Sequence, residues 1–408
     1  MTERKILILT NRVPYPLNDG GNLAMNSMIE GYHRSGWKVY LLSMNTSRHP
    51  LSSDTLSGLY QQIHAFEWMN INNDIKKVSV IKNYLFSKEA EHVERFFRKE
   101  FEDKIVEVLQ DFKPDVIQVE SIFLSTYLPA IKANSDAVKV LRMHNIEYHI
   151  WHSLTAKTTN SLKKSYYQSL TERLKTFERE SWKKYDLILT ITERDAFHVR
   201  RLEKVMDMIV APFSLELNNI PARSANERWV GYHIGAMDWI PNRDGMRWFI
   251  DEVWPKIHSA IPKFEFYFAG RKMPAEFQEL DAPGVFCMNE VESAADFIGD
   301  KKILIVPISS AGGIRIKILE AMAAGKVVIS SPEGIKGIEV KSGDHYLVAR
   351  KPEDYVRAIK WCLMNKEKAE EMAQRAKELV STKYEYRNVT RTVINEIEGI
   401  LKLRDSSI

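Results

Sequence analysis

At 408 residues the chain is longer than one hydrophobic core usually serves, so two domains are expected. Its 44% apolar and 27% charged residues exclude a disordered chain, and a net charge of +4 gives no call for a nucleic-acid partner. The two cysteines, Cys287 and Cys362, match no metal-ligand spacing and point to a reducing compartment without a disulfide framework.

Taken in chain order, residues 5–10 (KILILT) form an apolar run of the kind that makes a strand buried on both faces. Gly20 and Gly21 then open a helix to about His33, and residues 38–43 are the next strand. Residues 89–110 set Val93, Phe96, Phe97, Phe101, Ile105, Val108 and Leu109 at helical spacing, a face expected to pack on a sheet. Strands follow at 115–119, 137–143 and 186–191, with a long charged helix over 162–184 between the last two. Its charges read as a solvated face, and its start, LKKSYY, also suits lipid head groups.

Residues 212–227, polar and proline-bearing, are the linker between a first domain at 1–211 and a second at 228–384. The second half repeats the pattern: a strand at 229–234, the loop GAMDWIPNRDG, a helix over 246–258, and strands at 264–269, 284–288 and 302–307. This alternation predicts parallel sheets with right-handed crossovers in both halves. After Pro352 the chain reads as helix to Lys402, and residues 388–401 line up Val389, Val393, Ile394, Ile397, Ile400 and Leu401 on one face. No segment reaches the roughly 20 apolar residues of a membrane helix, and the N-terminal apolar run is too short for a signal peptide. A cytoplasmic protein is expected, with peripheral contact to the inner membrane face through the first domain left open.

The stretch 306–339, VPISSAGGIRIKILEAMAAGKVVISSPEGIKGIE, carries the chemistry. A strand ends, a small loop holding Gly312 and Gly313 follows, and a helix over about 314–324 stops at Gly325 before a second strand. The loop leaves backbone N–H groups at Gly313 and Ile314 that attract an anion. Arg315 and Lys317 fall in the first turn, where cations are disfavoured unless a doubly charged ligand such as pyrophosphate sits between them. Glu320, about one and a half turns on, is placed to accept hydrogen bonds from sugar hydroxyls. A strand–loop–helix with solvated charges is the plain alternative. Open parallel sheets bind ligands beyond the carboxyl ends of their strands, so loops 14–21, 144–148, 235–242, 270–272 and 309–315 are expected to line one cleft.

PYPLNDGG, RMHNIEYHIWHSL, ILTITERD, IGAMDWIPNRDGMRWFIDEVWPKI, FYFAGRK and SSAGGIRIKILEAMAAGKVVISSPEGIKGIE together resemble the GT-B glycosyltransferases, specifically the retaining family 4, over nearly the whole chain. The resemblance implies an α/β fold of two Rossmann-like domains facing each other across a cleft. It also implies a C-terminal helix, residues 385–408, crossing back to the N-terminal domain. Glu320 corresponds to the second glutamate of the family's paired-glutamate motif; the first falls at Gly312 and is absent. The positions that hold a basic pair in the family are occupied by Ala236 and by Asp244 or a neighbour, so Arg315 and Lys317 are expected to supply the cations. Bidentate arginine–phosphate bonding is strong enough for one guanidinium to replace two flexible lysines.

His144 stands where the family places a histidine facing the donor sugar, and with Arg315 and Lys317 makes up the expected catalytic set. Gly20, Gly21, Gly235, Asp238, Asn242, Arg271, Gly312, Gly313, Ile314 and Glu320 are the expected donor-binding set. Asn145 and Glu147 serve equally well as helix caps. Trp239 is packing or a sugar platform, and Lys272 flanks the nucleotide region beside Arg271. The activity implied is retaining transfer of a sugar from a nucleotide-diphosphate sugar to a glycan or lipid-linked acceptor, in envelope or exopolysaccharide synthesis. No metal or other cofactor is expected, since no Asp-x-Asp pair ends a strand. The alternative is a catalytically silent relative that binds nucleotide sugars or serves as a scaffold.

Overall fold

A computed structural model of the chain describes residues 3–17, 20–74, 83–84, 87, 90–203, 207–220, 226–309 and 314–406. The chain divides into two compact units, Met1–Phe213 with Val389–Ile408, and Ser214–Asn388. Each is built on one parallel sheet.

The first unit holds β1 (Lys5–Thr10), β2 (Lys38–Thr46), β3 (Ala65–Ile71), β4 (Val116–Glu120), β5 (Val138–Met143), β6 (Leu187–Thr190) and β7 (Asp207–Val210). Their order across the sheet is β3-β2-β1-β4-β5-β6-β7. The central β1 is buried on both faces. Leu7 and Leu9 enter one apolar cluster with Phe101, Ile105 and Leu109 of helix Lys99–Phe112, while Ile6 and Ile8 enter another with Met28 and Ile29. Helix α1 (Gly20–Arg34) lies on the second face, followed in chain order by α2 (Lys99–Phe112), α3 (Glu147–Lys157) and α4 (Ser161–Trp182).

The last helix, Tyr386–Asp405, packs Val389, Val393, Ile397 and Leu401 into the cluster that holds Ile6, Ile8 and Tyr32. Each such side chain contributes about 1.5–3 kcal/mol on burial. Gly31 of α1 permits that approach, since a Cβ there would stand 2.1 Å from Thr390 Oγ1. Arg4 pairs with Glu398 at 3.1 Å, and Arg404 with Asp186 at 2.6 Å.

The second unit holds β8 (Arg228–Ile234), β9 (Phe266–Ala269), β10 (Val285–Cys287), β11 (Lys301–Val306), β12 (Val327–Ser330) and β13 (Leu347–Val348) in the order β10-β9-β8-β11-β12-β13. Helix α5 (Ile240–Trp248) follows β8 and α6 (Ile316–Ala323) follows β11. The two sheets thus repeat one order, and in each the chain reverses direction across the sheet between its first and fourth strands, the crevice where such folds bind ligands.

Several element boundaries differ from the sequence reading. The helix expected over 89–110 is a short helix, Glu91–Glu94, and a separate α2 that starts at Lys99. Helix α5 starts at Ile240, six residues early, because Pro241 fits a first helical turn that needs no N–H from it. Helix α6 starts at Ile316, with Arg315 as an extended N-cap, so Ile314 precedes the cap and the first-turn amides belong to Ile316 and Lys317. β3, β7 and β13 were not anticipated. All three are edge strands and only partly buried; β3 interleaves polar residues with apolar ones, and β7 and β13 are only 4 and 2 residues long.

Candidate active site

In the second unit the expected residues from two separate loops meet beyond β8 and β11. Lys317 Nζ donates to Asn242 Oδ1 at 2.9 Å and lies 3.2 Å from His233 Nε2. Asn242 is oriented by its own Nδ2, which donates to the Ala236 carbonyl at 2.9 Å. His233 is fully buried, and its Nδ1 lies 2.8 Å from the Ile305 carbonyl, which can only accept. That fixes the proton on Nδ1 and leaves Nε2 as an acceptor for the amine. Burial, reinforced by Lys317, keeps the imidazole pKa well below its ordinary value.

Lys317 and Asn242 crowd Gly235, where a Cβ would stand 2.5 Å from Lys317 Nζ and 2.6 Å from Asn242 Nδ2. A Cβ on Gly270 would meet the Gly235 carbonyl at 1.9 Å, so this pair of glycines lets the ends of β8 and β9 close together.

Burial pushes the Lys317 pKa down to about 7; Arg315 adds to the shift and Glu320 opposes it. Arg315 is 4% exposed, its guanidinium 5.5 Å from the centre of the Trp239 ring, and burial lowers its pKa to about 10. Trp239 therefore serves as the surface on which the arginine stacks. Glu320 is half-buried, one helical turn beyond Lys317; burial raises its pKa and Lys317 opposes the shift. Among the described residues no side chain caps α6, so its first-turn amides face the same region as the two cations. The arrangement is that of an anion site: crowded cations at the positive end of a helix, with a neutral imidazole beside the lysine. Gly312 and Gly313 lie outside the described residues.

Asp238, Arg271 and Lys272 form their own exposed group: Asp238 Oδ2 lies 3.5 Å from Lys272 Nζ and Oδ1 4.0 Å from Arg271 Nε. The structure ties these three to one another, and draws Gly235, Trp239, Asn242, Arg315, Lys317 and Glu320 into the other cluster.

In the first unit Gly20 and Gly21 open α1, and His144 follows β5. His144 Nε2 donates to Glu120 Oε2 at 2.7 Å. Glu120, 1% exposed at the end of β4, also accepts from Gln118 Nε2 at 2.6 Å, and Gln118 accepts from Tyr32 of α1 at 2.7 Å. Arg142 is fully buried, 3.6 Å from Glu120 Oε1, and donates to the Ala24 carbonyl of α1 at 2.6 Å. Burial works to raise the Glu120 pKa, but Arg142, His144 and Gln118 outweigh it and hold the carboxylate ionised. With Nε2 committed, Nδ1 is the His144 nitrogen left for a ligand. Asn145 follows His144 in the loop, while Glu147 begins α3, whose first amides are capped by Glu178 at 3.0 and 2.9 Å.

Sequence reasoning missed His233 and Glu120. Each is a polar residue near the carboxyl end of an otherwise buried strand, and that position is the one signal available.

Residues 229–365 match the family model described as Glycosyl transferases group 1. An uncharacterized 44.6 kDa protein in the cps region of Klebsiella pneumoniae is 21% identical over 96% of this chain and 99% of its own length. Among solved structures, sucrose-phosphate synthase from Thermosynechococcus elongatus superposes with a TM-score of 0.66 at 12% identity, covering 98% of this chain and all of the other. HepE of Anabaena in complex with UDP does so with a TM-score of 0.67 at 12% identity, covering 97% of this chain and 100% of that one. With its two parallel sheets of this order and its second unit matched to that family, the chain has the GT-B fold and is a glycosyltransferase carrying a glycosyl transferases group 1 domain at residues 229–365.

Proposed function

We propose that the chain transfers a sugar, with retention of anomeric configuration, from a nucleotide-diphosphate sugar to a glycan or lipid-linked acceptor in envelope polysaccharide synthesis. The observation that carries this reading is the convergence of Arg315 and Lys317 on the uncapped start of α6. As the bond from the anomeric carbon to the leaving oxygen lengthens, negative charge grows on the β-phosphate. Lys317, Arg315 and the Ile316 and Lys317 amides receive that charge, and fixed donors of this kind are each worth about 3–4 kcal/mol in a transition state. These side-chain cations stand where a divalent metal would otherwise serve. Glu320 takes the sugar hydroxyls of the nucleotide, and His144, steadied by Glu120, serves the transferred sugar.

HepE in complex with UDP supports a nucleotide donor, with uridine the favoured base, and the relative from a cps region supports the polysaccharide setting. Among the described residues no helix is long and apolar enough to cross a membrane. Peripheral contact of a cytoplasmic enzyme with an anionic membrane face belongs to the same reading, supported by Leu162, 82% exposed beside Lys163 and Lys164 at the start of α4.

A second reading, a nucleotide-sugar-binding subunit without transfer, is favoured by Gly312 standing in place of the first glutamate. A thermal-shift screen over a panel of nucleotide sugars, with product analysis, tests both. Arg315→Ala is expected to remove most of the stabilisation by nucleoside diphosphates, and Lys272→Ala to change it little. Equal responses of the two variants would overturn the placement of the diphosphate. Stabilisation with neither hydrolysis nor transfer would favour the second reading.

A further inference from the structure

The first unit holds a second group of charges that the donor chemistry does not use. Arg95 follows the short helix Glu91–Glu94, its guanidinium 5.1 Å from the centre of the Phe96 ring, and Phe96 stacks in turn on Phe123 at 5.4 Å. Among the described residues its Nε and Nη1 are buried and make no hydrogen bond. A buried guanidinium with unspent donors is costly, because each N–H has lost water and gained nothing in exchange. The charges acting on it come from Glu91, from Arg48 just past the end of β2, and from Glu147 at the start of α3. Arg48 and Glu147 both follow the carboxyl ends of strands, the end of the sheet that also presents His144.

Burial weakens both carboxyls as counter-ions to the arginines. Burial pushes Glu147 up to about 7, with Arg95 opposing, and raises Glu91, with Arg95 and Arg48 opposing. His92, 3.3 Å from Glu91, is driven down to about 3 by burial and by both arginines, and so is neutral. Its ring meets Trp151 edge-on at 4.6 Å, forming an aromatic wall beside the charges. The cluster therefore combines two permanent cations, one with idle buried donors, a carboxyl that titrates near neutrality, and aromatic surface. That is the inventory for a sugar bearing an oxyanion.

We infer that Arg95, with Arg48, forms an acceptor subsite that takes an oxyanion, either the carboxylate of an acidic sugar or the phosphate of a phosphorylated or lipid-linked one, while Glu147 accepts a neighbouring hydroxyl. The inference rests on the proposed transfer reaction for its biological sense, but the binding it claims is measurable without turnover.

The full-length protein is titrated by NMR or calorimetry with glucuronate, glucose 1-phosphate and methyl glucoside, first alone and then with UDP saturating the second unit. At least one of the two acids is expected to bind with UDP present, and to bind tenfold or more weakly to Arg95→Gln, while methyl glucoside does not distinguish the variants and UDP affinity stays within twofold. Preference for glucuronate assigns the carboxylate source and preference for glucose 1-phosphate the phosphate source. Should Arg95→Gln fail to fold, exposed Arg48→Gln decides, with a threefold or greater weakening expected. Acids that bind wild type and both variants alike, or no acid binding while UDP binds normally, overturn the subsite. Loss of UDP binding by the wild type would instead overturn the donor reading and leave the acid titrations interpretable.

Discussion

The two units repeat one strand order, yet the charged groups each collects beyond the carboxyl ends of its strands are differently arranged. Beside β8 and β11 stand Arg315 and Lys317 with a histidine kept neutral and a glutamate pushed toward its protonated form. Beside β4 and β5 stands an ionised, fully buried carboxylate, Glu120, that holds a histidine by one nitrogen. The fold fixes where a ligand enters, and the residues at that one point decide whether it meets an electrophilic cradle or a hydrogen-bonding network. A substitution that exchanges these characters should therefore break one function and spare the other.

The largest effect belongs to Lys317→Met. Removing the ammonium leaves the departing diphosphate with Arg315 and two amides, and turnover is expected to fall about 10²–10³-fold, with UDP affinity falling as well. Single-turnover transfer and UDP titration check it. Unchanged turnover would mean that the second unit's cations are structural. Next comes Glu120→Gln, which keeps a hydrogen-bonding partner for His144 but removes the charge that steadies the ring. Turnover is expected to fall about ten- to a hundredfold, with UDP affinity within twofold of wild type. A loss of UDP affinity equal to that of Lys317→Met would dissolve the contrast between the units.

A smaller effect separates crowding from chemistry. Gly235→Ala places a methyl 2.5 Å from Lys317 Nζ, the mobile end of a side chain, so the amine shifts and UDP affinity drops about tenfold with little change in melting temperature. Gly270→Ala places its methyl against the Gly235 carbonyl at 1.9 Å, a backbone atom that cannot step aside, and melting temperature falls first.

The sequence made one side of this contrast legible. Cations at the start of a helix that follows a glycine loop conflict with the helix dipole, and that conflict alone points to an anion. Nothing comparable marks His233. It lies in a strand, and its partner Lys317 is 84 residues away, so no local periodicity records the contact. Glu120 is hidden likewise, its histidine lying 24 residues on in another strand-end loop. That both halves carry parallel sheets followed from the alternation of apolar runs with helices, because central strands are buried on both faces; the order of the strands did not. β3 escaped because an edge strand with one neighbour need not be continuously apolar, and β7 because it spans only 4 residues, the first of them polar.

The finest test uses the Lys317 amine itself. Burial and Arg315 depress its pKa to about 7 in the free protein, so near neutrality a large share of molecules hold a neutral amine. A diphosphate binds the charged form and must raise the pKa on binding, so affinity is greatest below pH 7 and declines as the pH rises above it. Between pH 7 and pH 8 the terminal phosphate of UDP, with its second ionisation near 6, stays almost fully ionised. The weakening over that interval, about fivefold from the fraction of charged amine, therefore belongs to the protein. Lys317→Met should flatten the profile, whereas Glu120→Gln should leave it intact because its group lies in the other unit. A profile that persists in Lys317→Met would assign the titration to another group and remove the amine from the diphosphate site.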